Sequence, residues 1–358
     1  MNPALVLRAD ANIRIGNGHL MRSLALAQAW HSLGGRPILV TSVQPDALPP
    51  AVRASDVEVA FLSDADPDDD LSFVQSLLRD LGSAWVCCDG YRFDANYTHA
   101  LADSARGVVV IDDIADAPLY SADVIVNQNI FAERFKYKCD RETIKLLGPR
   151  YALLRREFLP WTDSRPRSAD RAKHVLVSMG GGDPDNQTLK VMRALRRSQF
   201  ADLSVKVIVG GNNPHSDTLE VEAARMEPPP IELLRNPVDL PSLMAWADLA
   251  VSAGGSTCWE ICFMGVPSVL MTLADNQAGI TAGLAEAEAA VHVGSFQSVD
   301  EDMLVRTVND LVNDRMQRER LGSNARVLVD GRGATRVCRA LLGEPESAWD
   351  REVSVSRQ

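Results

Sequence analysis

The stretch Ser252–Gln277, SAGGSTCWEICFMGVPSVLMTLADNQ, decides how this chain is read. It follows the apolar pair Ala250-Val251, the end of a predicted strand. Gly254 and Gly255 permit a tight turn and a close backbone approach, since neither carries a Cβ. Ser256 stands where an N-cap would open a helix that runs through Thr257, Trp259, Ile261 and Cys262 to Met264. Gly265 and Pro267 stop that helix, and Ser268–Leu273 reads as a second buried strand. The polar residues Ala274-Asp275-Asn276-Gln277 then read as a loop. A helix start, with its free N–H groups and Ser/Thr hydroxyls, suits a phosphate. Glu260, on the first turns, is placed to accept hydrogen bonds from a ribose. An ordinary βα turn with a good cap would use the same residue types, so the stretch by itself is compatible with both readings.

The alternation of this stretch extends in both directions. Ala4–Ala9 is an apolar run, and Asn12-Ile13-Arg14-Ile15-Gly16-Asn17-Gly18-His19 leads into a helix over 20–33 whose Leu20, Leu24, Ala27 and Trp30 share a face. Strands are expected at Pro37–Thr41, Val57–Leu62, Trp85–Cys88, Val108–Ile111 and Val124–Asn127, the pattern of an α/β domain with a parallel sheet. Pro160–Asp170, PWTDSRPRSAD, reads as an interdomain linker. Beyond it the alternation restarts with the strand His174–Ser178 and the turn Gly180-Gly181-Gly182, then the helix Thr188–Arg197 and the strand Val205–Val209. The domains expected are therefore an N-terminal α/β domain over 1–160, a C-terminal α/β domain over 161–343 and a loosely held tail over 344–358. In open α/β sheets ligands gather at the carboxyl ends of strands, and two such domains would face each other across a cleft.

Composition narrows the function. A chain of 358 residues has room for two domains. Its net charge is -11 with no long basic run, which argues against nucleic acid or an anionic membrane as the main partner. No apolar stretch has membrane-spanning length and the N-terminus lacks a signal-peptide pattern, so a cytoplasmic location is expected. The six cysteines fit neither a zinc ribbon nor a disulfide framework, and they read as buried thiols. Asp64–Asp70, DADPDDD, lacks the ligand spacing of a cation loop and reads as a solvated surface loop. No metal site and no cofactor are expected.

His19 is the sharpest chemical candidate. It follows a Gly-x-Gly turn, Gly16 to Gly18, at a helix N-terminus, where the helix dipole disfavours imidazolium and keeps the ring able to accept a proton. A capping or packing histidine is the plainer alternative. Asp89-Gly90-Tyr91 and Asp112-Asp113 follow strands, so they could line the same cleft, an Asp orienting the His and Tyr91 bonding a sugar; turn and cap chemistry is the alternative there.

Taken together these residues resemble a family. Arg8-Ala9-Asp10, the run Ile15-Gly16-Asn17-Gly18-His19 and Arg22 resemble the N-terminal signature of the UDP-2,4-diacetamido-2,4,6-trideoxy-β-L-altropyranose hydrolases of pseudaminic acid biosynthesis. Asp89-Gly90-Tyr91, Ile111-Asp112-Asp113, Tyr151–Arg155, Gly180-Gly181, Gly255-Ser256-Thr257 with Glu260, Asn276-Gln277 and Asp330–Gly333 match in the same order along almost the whole chain. That family is similar to the GT-B glycosyltransferases of the MurG type but transfers the sugar to water. The resemblance implies two Rossmann-like domains facing a cleft, with a UDP-sugar as substrate. It implies His19 as the base for the attacking water, and Tyr91 and Asn276, with Gly16, Gly18 and Gln277 nearby, around the sugar and water. Arg155, Gly180, Gly181, Gly255, Ser256, Thr257 and Glu260 would hold the nucleotide, Glu260 on the ribose. A GT-B glycosyltransferase with a similar donor and a non-water acceptor is the alternative enzyme, and a nucleotide-sugar binding protein without turnover is a third reading.

Overall fold

The computed structural model describes residues 3–12, 15–62, 67–164, 169–211, 213–225 and 228–350. Ile13 and Arg14 of the first Gly-rich run, Asp64 to Asp66 of the acidic run, 165–168 of the linker, Asn212 and 351–358 of the tail lie outside them. The chain divides into two units. One comprises Met1–Ala11, Asn17–Arg156 and Gly331–Gln358, the other Asn12–Gly16 and Glu157–Asp330.

The first unit contains, in chain order, β1 (Ala4–Ala9), α1 (Gly18–Ser32), β2 (Arg36–Thr41), α2 (Pro50–Arg53), β3 (Glu58–Phe61), α3 (Pro67–Leu81), β4 (Ala84–Asp89), α4 (Ala95–Ala102), β5 (Gly107–Ile111), β6 (Val124–Asn127) and β7 (Ile144–Leu147). The strands form a parallel sheet in the order β3-β2-β1-β4-β5-β6-β7. The near-continuous apolar runs of β1, β2, β4, β5 and β6 are explained by burial on both faces, whereas the edge strands β3 and β7 are largely exposed. Leu5, Leu7, Leu39, Cys87 and Val109 pack with α1 through Leu20, Leu24 and Trp30. The alternating set Val6, Ile38, Val40, Val86, Cys88 and Val108 packs with Val74 and Leu78 of α3 and Leu101 of α4.

The second unit continues with β8 (His174–Ser178), α5 (Gln187–Arg196), β9 (Ser204–Val209), α6 (Ser216–Ala223), β10 (Ile231–Arg235), α7 (Leu240–Trp246), β11 (Leu249–Ala253), α8 (Thr257–Met264), β12 (Ser268–Thr272), α9 (Asp275–Glu286), β13 (Val291–Ser295), α10 (Glu301–Asn313) and α11 (Arg315–Leu328). Its parallel sheet runs β10-β9-β8-β11-β12-β13. Val175, Val177, Val205, Val207, Val251 and Met271 share a core with Val191 and Leu195 of α5 and with Leu304, Val308 and Leu311 of α10.

Four readings of the sequence are corrected. Asp275 to Gln277 are not a loop but the first turn of α9, where the Gln277 side-chain oxygen accepts a hydrogen bond from Leu273 N at 3.0 Å. Asp70 is no solvated loop residue: it lies in α3, is 1% exposed and pairs with buried Arg8 at 2.7 Å. The chain from Gly331 groups with the first unit instead of completing a second domain to 343. There α12 (Gly333–Leu341) buries Val337, Cys338 and Leu341 in the core that holds α1. The tail is tied down as far as Trp349, which is 9% exposed and donates its indole N–H to Glu344 O at 2.8 Å. The strand β7 was not anticipated at all.

Candidate functional site

In the first sheet the strand order reverses between β1 and β4, so the connections leaving those two strands diverge from one point. The segment after β1 leads to α1 and His19, and the segment after β4 carries Asp89, Gly90 and Tyr91. Gly16 has a left-handed φ of 67° and its N–H donates to Asn12 O at 2.8 Å, closing a turn that an L side chain would strain. Gly18 is the first residue of α1 and His19 the second.

His19 is 6% exposed, and its Nδ1 has no hydrogen-bond partner among the described residues. The nearest carboxylate oxygen, Asp89 Oδ1, is 3.8 Å away, too long for a hydrogen bond. Asp89 is instead taken by Arg22, which donates to its two oxygens at 2.7 and 2.6 Å. The same guanidinium donates to Asp113 at 2.7 and 3.1 Å. Tyr91, 52% exposed, donates its hydroxyl to Asp113 at 3.0 Å, and its ring meets His19 edge-on, centroids 5.3 Å apart. Burial pushes the His19 imidazole below its ordinary value; Asp89 opposes this and Arg22 adds to it. Burial alone would raise the Asp113 carboxyl, but the Arg22 guanidinium outweighs it and holds it below the usual range. A neutral, buried imidazole beside a half-exposed tyrosine can accept a proton from a bound water or hydroxyl. Asp112, paired with Asp113 in the sequence reading, turns away from this group: it accepts hydroxyls from Tyr120 and Tyr137, each at 2.9 Å.

The second sheet reverses between β8 and β11. Gly180 and Gly181 follow β8, Gly255, Ser256, Thr257 and Glu260 follow β11, and Asn276 and Gln277 follow β12, so one sheet edge carries them all. Gly180 has a φ of 89°, and a Cβ on Gly210, after β9, would lie 2.2 Å from Gly181 O, so these turns touch backbone to backbone. A Cβ on Gly254 would lie 2.4 Å from Thr281 Cγ2 and 3.1 Å from Gln277 Cβ, so α9 is what requires glycine there.

Two helix N-termini flank this reversal, and they differ. At α5 the buried Asp183 accepts from Gln187 N and Thr188 N at 2.8 Å each and from the Thr188 hydroxyl at 2.6 Å, so that end carries its own anion. At α8 the N-cap Ser256 makes no side-chain cap bond. There the Cys258 and Trp259 N–H groups donate to Gly255 O and Ser256 O at 3.0 and 3.1 Å, so of the two ends it is the one that no cap side chain occupies. Arg155 is 3% exposed and groups with the first unit, not with the other predicted nucleotide residues. Among the described residues no group of three His, Cys, Asp or Glu could hold a metal ion.

Sequence reasoning assigned no role to Arg22 or Asp183. Arg22 could have been found from its spacing, since i and i+3 place it beside His19 on one helix face. Asp183 could have been found as a cap former ahead of a helix.

Residues 175–331 match the family model of the glycosyltransferase family 28 C-terminal domain. The chain is 24% identical over 274 residues to a protein of uncharacterised function from Methanocaldococcus jannaschii, covering 75% of this chain and 55% of that one. It is 25% identical to the spore coat polysaccharide biosynthesis protein SpsG of Bacillus subtilis, over 64% of this chain and 67% of that one. It is 24% identical to the pseudaminic acid cytidylyltransferase and UDP-2,4-diacetamido-2,4,6-trideoxy-β-L-altropyranose hydrolase of Helicobacter pylori, over 55% of this chain and 35% of that protein. The chain thus spans about half the length of the first of these relatives and a third of the last. Among solved structures, MurG of Acinetobacter baumannii superposes with a TM-score of 0.67 at 15% identity, covering 96% of this chain and 100% of that one. The chain accordingly has the GT-B fold of two Rossmann-like units, and its second unit matches the C-terminal domain of glycosyltransferase family 28.

Proposed function

We propose that the protein hydrolyses a UDP-linked 2,4-diacetamido-2,4,6-trideoxy sugar of the L-altrose type, releasing UDP and free sugar. The observation that carries this reading is His19, a neutral, buried imidazole at the strand-order reversal of the first sheet, with Tyr91 against its ring. The similarity to the Helicobacter pylori protein, whose name includes such a hydrolase, supports the choice of substrate.

In this mechanism the second unit binds UDP, its diphosphate at the start of α8 and its ribose at Glu260. His19 takes a proton from water as the water oxygen bonds the anomeric carbon. The anomeric C–O bond to the diphosphate breaks, and its electron pair leaves with UDP. Tyr91 and Asn276 hold the sugar and the water. The two carboxylates beside His19, Asp89 and Asp113, are buried and held by Arg22, which leaves His19 as a single base and calls for one displacement and inversion at carbon.

A second reading, a glycosyltransferase with a similar donor and a non-water acceptor, is favoured by the family 28 match over 175–331. One experiment separates the two. The protein is incubated with the UDP-linked diacetamido sugar alone, and UDP and free sugar are quantified by chromatography. Stoichiometric release of both supports the hydrolase. Release only on adding an acceptor, with the sugar found on that acceptor, supports the transferase.

A further inference from the structure

Arg22 is the most heavily engaged charged side chain near His19, and nothing in the mechanism above uses it. It is 6% exposed and sits between two carboxylates, with four donated bonds of 2.6 to 3.1 Å to Asp89 and Asp113. Asp89 is fully buried and is the carboxylate nearest to His19 Nδ1. Were Asp89 not held by Arg22, a shift of about 1 Å would let it accept a hydrogen bond from that nitrogen. Asp113 accepts from Arg22 and from Tyr91 together, and Asn129 donates to the Asp113 backbone oxygen at 2.8 Å. Arg22 thus holds both sides of His19: directly at Asp89, and through Asp113 at Tyr91.

We propose that Arg22 is the positioning residue of this site: it occupies Asp89, leaving His19 Nδ1 without a hydrogen-bond partner among the described residues, and through Asp113 it holds Tyr91 edge-on to the imidazole. The charges around His19 are Asp89 at the end of β4, Asp113 after β5, Arg22 on α1 and, farther off, Asp10 after β1, itself paired with Arg8 at 2.7 Å. Asp89, Asp113 and Arg22 together carry one negative charge when His19 is neutral. Removing Arg22 adds one negative charge, and neutralising Asp113 removes one. The two changes therefore drive proton binding at His19 in opposite directions, which loss of packing at one spot would not do.

The test is the titration of the His19 ring, followed by NMR on the full-length protein labelled at histidine, in the parent, in Arg22→Met and in Asp113→Asn. Proton binding at His19 should tighten about tenfold in Arg22→Met and weaken about tenfold in Asp113→Asn, a tenfold step being one pH unit in the midpoint. Shifts in the same direction, or none in either variant, would overturn the proposal. Should Arg22→Met fail to fold, Asp113→Asn decides alone: weaker proton binding supports the clamp and an unmoved midpoint overturns it. The consequence for turnover rests on His19 being the base, but the titration reads the clamp whether or not the protein releases sugar from UDP. A clamp confirmed by titration without any turnover would count against the proposed function only.

Discussion

At the residue scale the proposed chemistry turns on His19 and Glu260. His19→Asn keeps much of the shape but removes the base, and turnover should fall by about 10²-fold or more, the range for loss of a general base. UDP affinity should stay within about twofold, because Gly180, Gly181 and the α8 residues belong to the other unit. Initial rates and calorimetry on the same preparation check both. The sign of the pH dependence follows from burial, which sets His19 below its ordinary 6.5 in the folded protein. Between the folded value and 6.5 the unfolded chain binds more protons than the folded one, so the stability contributed by neutral His19 is complete above 6.5 and is lost as pH falls through that window. For the same reason kcat/KM should hold down to pH values below 6.5 and then decline; an acidic limb centred above 6.5 would contradict a buried neutral base. Glu260, in the first turn of α8, is expected to accept ribose hydroxyls. Glu260→Ala should weaken UDP binding by about 1.5–3 kcal/mol, the range for hydrogen bonds to a charged group, and an unchanged dissociation constant would remove Glu260 from the site.

At the scale of elements, α12 is the piece whose placement the sequence does not announce. It lies at the end of the chain yet buries Val337, Cys338 and Leu341 in the core of the first unit. Gly333 must be glycine there, since a Cβ would sit 2.3 Å from Ala152 O and 2.4 Å from Tyr151 C. The element is further fixed by Arg336, which donates to Arg150 O at 2.7 Å and to Asp350 at 2.6 Å. Leu341 is 2% exposed, so Leu341→Ala should cost about 2–5 kcal/mol of stability, the usual loss for a buried leucine. Chemical denaturation measures this. A loss below about 0.5 kcal/mol, as for a surface residue, would show that α12 is not core to the first unit.

At the scale of the whole molecule, the proposed labour is divided between the two units: the first presents an imidazole at its sheet reversal and the second a helix start without a side-chain cap at its own. No described helix is long and apolar enough to cross a membrane. If water attacks the anomeric carbon, turnover in heavy-oxygen water should put the label in the free sugar at early times, before ring opening exchanges it. Mass spectrometry of both products settles the point, and label in the UDP phosphate would show that the P–O bond breaks instead.

The sequence by itself determined the α/β class, the placement of most strands and the two Gly-rich turns, because parallel strands buried on both faces must be apolar throughout and their turns must spare Cβ atoms. It also singled out His19, since a histidine just past a Gly-x-Gly turn is a local signal. Only the tertiary structure decided what surrounds that histidine. Arg22, Asp89 and Asp113 lie 67 to 91 residues apart in their pairings, and nothing local in the sequence states that one guanidinium will clasp both acids. The same holds for Asp70, which looks solvated in an acidic run until Arg8, 62 residues away, pairs with it in the interior. It holds also for α12, whose apolar stripe could have served either sheet and which found its partner in α1. Local pattern dictates elements, while burial of charge and choice of partner are settled by contacts between residues distant in the chain.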